Sequence, residues 1–166
     1  MVGGDNNKVS GDSNGVKGSN NQLMGDFNLL QGDSNKVKGD LNAVNGNLNQ
    51  VIGNNNGLLG HENKVKGDNN QVVGNHNAMQ GNCNQVQGNK NTLFGDFNFA
   101  FGDFNSILGS MNQVKGSSNV VEGSKNAIAG NTNMVKGDTN VIQGDSNYVN
   151  GHSNVVLSDL SGFNFW

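Results

Sequence analysis

The chain has 166 residues, among them 26 Gly and 35 Asn, with no Pro, no Arg, 14% charged and 33% hydrophobic residues and a net charge of −3. An average domain is nearer half apolar and a quarter charged; this composition excludes a thick packed core, and its low charge excludes a polyelectrolyte-type disordered chain. The absence of Arg and the acidic balance disfavour a nucleic-acid binder, the lone Cys83 permits no intramolecular disulfide, and no apolar run approaches the roughly 20 residues of a membrane span.

Residues 1–20 contain no apolar segment of the secretion-signal type, so no signal peptide is read; removal of one would leave the same sequence, and the compartment stays unassigned. Met1-Val2-Gly3 precede the repeat and carry no recognisable cap. From Gly4 to Gly151 a glycine falls at every seventh position, 22 times without insertion. Each is followed three residues later by an asparagine, from Asn7 to Asn154. Two residues further on comes an apolar residue, from Val9 to Val156, which is Val in 13 of the 22 units.

The unit G-x-x-N-x-V-x is not a coiled-coil heptad, which needs two apolar positions spaced three and four apart. Glycine and asparagine in every unit would also weaken a helix. The alternation N-x-V-x fits a short strand with Asn and Val pointing inward and both x positions outward. Asp or Asn follows the glycine in 16 units and Ser in four, which predicts side chains that satisfy backbone groups locally within each tight turn. One heptad cannot close a circuit, but two can: strand, corner, strand, corner. The prediction is an all-β fold, a β-solenoid or β-roll of about 11 coils with 14 residues per coil. It has two parallel sheets, inward Val and Asn ladders, and a length on the order of 50 Å. The solenoid spans 1–157. Residues 158–166, with Leu160, Phe163, Phe165 and Trp166, break the pattern and are expected to form a C-terminal cap.

Asp33-Ser34-Asn35-Lys36-Val37-Lys38-Gly39 shows the unit x-x-N-x-V-x-G, which resembles the repeat of the ice-binding, ice-recrystallisation-inhibiting β-roll proteins of cold-hardy grasses. The resemblance runs from residue 4 to about 157. It implies a β-roll with inward valines and an asparagine ladder, a left-handed coil, and ice as the partner. Outward positions in that family are rich in Thr, Ser and Val, whereas Thr occurs in this chain only at 92, 132 and 139, and only Thr92 flanks the apolar position.

Alternate heptads fall on opposite sheets, so the outward residues sort into two faces. One face carries Lys36, Lys38, Lys64 and Lys66. The other has no acidic residue and two lysines, Lys17 and Lys115. An ice-binding plane has to be flat, regular and weakly charged, which nominates Ala43, Asn45, Gln71, Val73, Gln85, Gln87, Ala127, Ala129, Val141 and Gln143 on the second face. A belt of Phe94, Phe97, Phe99, Phe101, Phe104 and Leu108 interrupts this regularity. It is a candidate protein contact, for self-association or for docking of a structural solenoid; the alternative is a wider local core beside the small Ala100.

No acid, base and nucleophile can be nominated together, so no catalytic residue and no enzyme is read. His61, His76 and His152 lie in corners without metal-ligand spacing, and no phosphate-binding or dinucleotide motif occurs; neither cofactor nor metal is expected. The function read from the sequence is ice binding through a flat solenoid face. The alternative is an interaction solenoid that docks or self-associates through the Phe94–Phe104 belt or an open end.

Overall fold

The computed structural model describes residues 1–157; the expected cap, 158–166, lies outside the described residues. The described chain is a succession of 23 short strands with no helix. It begins β1 (Val2–Gly3), β2 (Lys8–Ser10), β3 (Gly15–Lys17) and ends β22 (Tyr148–Asn150), β23 (Val155–Val156). Odd-numbered strands build a 12-stranded sheet, here sheet A, and even-numbered ones an 11-stranded sheet B. Every pairing is parallel with a register offset of 14 residues, as in Val44↔Leu58 and Val51↔Val65. Val2–Gly3, ahead of the first repeat, pairs with β3 and extends sheet A by one strand.

The regular strands are the three residues x-V-x, the central residue inward and its neighbours outward. The inward residues from Val16 to Val156 make one buried file per sheet, with Val9 partly covered at one end. Ala100 is stacked between Val86 and Val114 and is fully buried.

The asparagine before each strand is also buried and forms the expected ladder. Asn63 is representative. Its backbone N–H and its Nδ2 both donate to Asn49 Oδ1, at 3.0 and 3.1 Å, and Nδ2 also donates to the carbonyl of Gly74 at 2.8 Å. Its own Oδ1 accepts from the N–H and Nδ2 of Asn77, both at 3.0 Å. One side chain thus ties three successive coils together. Among the described residues no buried side-chain polar atom lacks a partner, which is the condition under which a thin, amide-lined interior is stable.

The corners differ from the sequence expectation in one respect. The side chain after each glycine does not bond within its own turn. Asp26 Oδ1 accepts from the N–H of Asp12, Asp40 Oδ1 from that of Asp26, and Ser124 Oγ from that of Ser110, each 14 residues away. Stacking brings the equivalent corner of the next coil closer than any unsatisfied donor in the same turn, so these residues form outer ladders along both edges. The next residue of every corner is left-handed, with φ between 56° and 62°, although it is Phe at 27, 97 and 104 and Thr at 132 and 139. Its N–H is held by the preceding coil, as in Leu41 N–H to the Asp26 carbonyl at 3.0 Å. Glycine itself is required by packing as well as by φ: a Cβ on Gly60 would fall on the carbonyl oxygen of Gly74.

Candidate functional site

With both inward ladders saturated, chemistry is left to the outward side chains. Parallel in-register pairing places these in two straight files per sheet. Neighbours in a file are about 4.8 Å apart, and the two files are separated by two residues of strand, about 6.6 Å. On sheet A, Ala43, Gly57, Gln71 and Gln85 follow one another in one file, and Asn45, Leu59, Val73 and Gln87 in the other. Ala127 and Val141 continue the first file, Ala129 and Gln143 the second. All ten nominated residues therefore lie on one face, in two runs. Between the runs stand Phe99 and Phe101, then Gln113 and Lys115.

Gly57 and Leu59 share these files, as do Leu29 and Gln31, and belong to the same surface. Their heptad positions are the signal that includes them. From Leu29–Gln31 through Phe99–Phe101, six consecutive strands of sheet A present no charged side chain. Sheet B presents six lysines, Lys8, Lys36, Lys38, Lys64, Lys66 and Lys136, together with Glu122. Of these only Lys136 forms an ion pair among the described residues, with Glu122 at 3.4 Å.

The aromatic belt encircles the rod; it is not gathered into one patch. Phe94 and Leu108 are in register on sheet B, and Phe99 and Phe101 are on sheet A. Phe97 occupies one edge. Phe104 occupies the other, where Lys90 Nζ lies 4.8 Å from its ring centre. Phe94, Phe97, Phe101, Phe104 and Leu108 are exposed and Phe99 is half-buried, while Ala100 and Ile107 are the apolar residues of this stretch that fill the core.

The histidines have structural partners. His61 and His152 follow corner glycines, and their Nδ1 atoms accept the N–H of Asn47 and Asp138 at 3.0 Å, the role that Asp and Asn play elsewhere in the same files. His152 Nδ1 also lies 3.4 Å from the Asp138 carboxylate on the exposed edge. His76 Nε2 lies 3.0 Å from Glu62 on the exposed edge. Among the described residues no three His, Cys, Asp or Glu side chains converge as metal ligands, and no helix is long and apolar enough to cross a membrane.

An uncharged, doubly filed surface on a backbone tied coil to coil by hydrogen-bond ladders has the regularity that adsorption to an extended lattice requires. Comparison with known proteins bears on which lattice. A family model described as "Grass antifreeze beta roll" matches residues 1–81 and again 73–162, so that the two matches together span nearly the whole chain. No curated protein matches it.

Proposed function

The chain belongs to the grass antifreeze beta-roll family, and on that premise we propose that it binds ice through the outward face of sheet A. The family is an ice-binding one and not an enzyme family. The observation that supports sheet A is its run of six uncharged strands in perfect register, a lane of about 24 Å.

Adsorption to ice sums many weak contacts between a fixed array of side chains and a fixed array of waters. Each ordered group adds affinity only if little freedom is lost on binding, so a preorganised surface is favoured. The asparagine and corner ladders supply that rigidity. Small and aliphatic groups such as Ala43, Val73, Ala129 and Val141 leave adjacent water free to take up a lattice position, and the amides of Gln71 and Gln85 hydrogen-bond to it. An ammonium group holds its own hydration shell out of register with ice, which disfavours sheet B. Phe99 and Phe101 end the lane and Lys115 follows on the next strand, so that Ala127, Ala129, Val141 and Gln143 form a second, shorter region.

Ice-recrystallisation inhibition tests this reading. Ala127→Lys/Ala129→Lys is expected to lower activity several-fold, and Phe99→Ser/Phe101→Ser to retain it in full. An inactive parent protein at high concentration would overturn ice binding. Unchanged activity in the lysine variant would overturn the role of this part of sheet A.

A further inference from the structure

One edge of the rod carries two equivalent apolar patches. The corners that lead from sheet B to sheet A stack along this edge, and their left-handed positions read Ser13, Phe27, Leu41, Asn55, Asn69, Cys83, Phe97, Met111 in succession. Phe27 and Leu41 stand on the edge at the second and third of these corners, flanked by Met24 on the sheet B side and Leu29 on the sheet A side. Phe94, Phe97, Phe99 and Met111 occupy the same four positions 70 residues later, five coils or about 24 Å along the rod. All are exposed except Phe99, which is half-buried. Between the patches the edge positions are small or polar. The opposite edge shows no such pair: Leu48 and Phe104 stand four coils apart with Glu62, His76 and Lys90 between them.

We propose that this edge is the interface of an antiparallel homodimer whose two-fold axis passes at Asn69. Asn69 is the midpoint of the two patches. A two-fold through it sets Phe27 against Met111 of the second copy, Leu41 against Phe97, and Asn55 against Cys83; each contact occurs twice, as an isologous interface demands. On the sheet B side Met24 meets Leu108, Lys38 meets the ring of Phe94, a cation–π pairing, and Lys66 meets Lys66 across the axis. Met24, Phe27, Leu41, Phe94, Phe97, Leu108 and Met111, all exposed and each with roughly 100 Å² open, offer on the order of 700 Å² per copy, within the size class of a stable pairwise interface. A parallel pairing about an axis along the rod turns sheet B of one copy toward sheet A of the other. It would leave Phe27, Leu41, Phe97 and Met111 each level with its own copy, but it would do the same with Asp12, Asp26, Asp40, Asp68 and Asp96, so charge selects the antiparallel form. That form faces Asp68 with Asp68 and Asp40 with Asp96, so added salt tightens it. It also brings both sheet A faces to the same side of the dimer. For the ice reading, on which this last consequence alone rests, it doubles the adsorbing area.

Sedimentation equilibrium of the full chain, without ice, tests the dimer independently of its ligand. Phe27→Asn and Phe97→Asn are suitable variants because Asn already occupies the same left-handed position at 6, 20, 55 and 69. Each alone is expected to weaken dimerisation at least about tenfold. Mixing the two restores part of it, because the mixed dimer keeps one intact patch pair. Asn69→Cys in a Cys83→Ser background is expected to cross-link across the axis under mild oxidation, and native Cys83 is not. A monomer at all concentrations, a dimer indifferent to both substitutions or weakened by salt, no recovery on mixing, or cross-linking through native Cys83 would each overturn the proposal.

Discussion

The outward surfaces of sheets A and B stand on the same backbone and the same ladders, yet sheet A from Leu29–Gln31 to Gln85–Gln87 shows only amide, aliphatic and small side chains while sheet B is studded with lysine. Their inward positions are interchangeable: Asn63 on the sheet B side and Asn70 on the sheet A side make the same set of bonds at 2.8–3.2 Å. The difference between the faces is therefore free of folding constraints. Three positions in seven specify the roll, and two outward positions in seven carry what distinguishes one surface from the other.

Breaking the shared scaffold should affect both sides alike. The largest effect is expected from Gly60→Ala and Gly67→Ala, one on each edge, where the new Cβ meets the carbonyl of Gly74 or Gly81. Pushing neighbouring coils apart at a left-handed site should cost about 4 kcal/mol or more in either case, read by chemical denaturation. Next come Asn63→Ala and Asn70→Ala, each of which leaves a buried backbone N–H of the following coil without its acceptor. A loss of about 3 kcal/mol is expected for both, and a large inequality between them would show that the two sheets are not energetically equivalent. Outward charges should behave oppositely: Gln71→Lys on sheet A and Gln50→Lys on sheet B should each change stability by less than about 0.5 kcal/mol. The smallest effect is a gain. Thr139→Asn relieves a β-branched residue at φ 62° and should stabilise by about 0.5 kcal/mol.

Much of this was legible in the residues. Period seven with fixed Gly, Asn and Val dictates strand length, inward ladders and a 14-residue circuit, because no helix accommodates that pattern and one heptad cannot close. Sorting the outward residues into two faces follows from alternation alone. What the sequence hides is contact between coils. Asp12 and Asp26 read as independent turn residues, and only stacking shows that one side chain serves the other's backbone. The left-handed corner position is hidden for a different reason: backbone bonds from the preceding coil enforce it, so the sequence tolerates Phe, Lys, Leu or Thr there and displays no Gly or Asn signature. Phe94–Phe104 reads as one belt along the chain, but its members turn the corner with the coil, and Phe104 ends on the edge opposite Phe97. Conversely, Phe27 and Phe97 are 70 residues apart and become members of one edge only when five coils are stacked between them.

Placing the same charge on each face in turn probes the asymmetry most directly. Ice-recrystallisation inhibition would be measured for Gln71→Lys/Gln85→Lys on sheet A and for Ala78→Lys/Thr92→Lys at the matching positions of sheet B, with folding checked by circular dichroism. If sheet A meets the ice, the first pair loses at least about tenfold in activity while the second matches the parent protein; equal activity in the two, or loss confined to the sheet B pair, would contradict it.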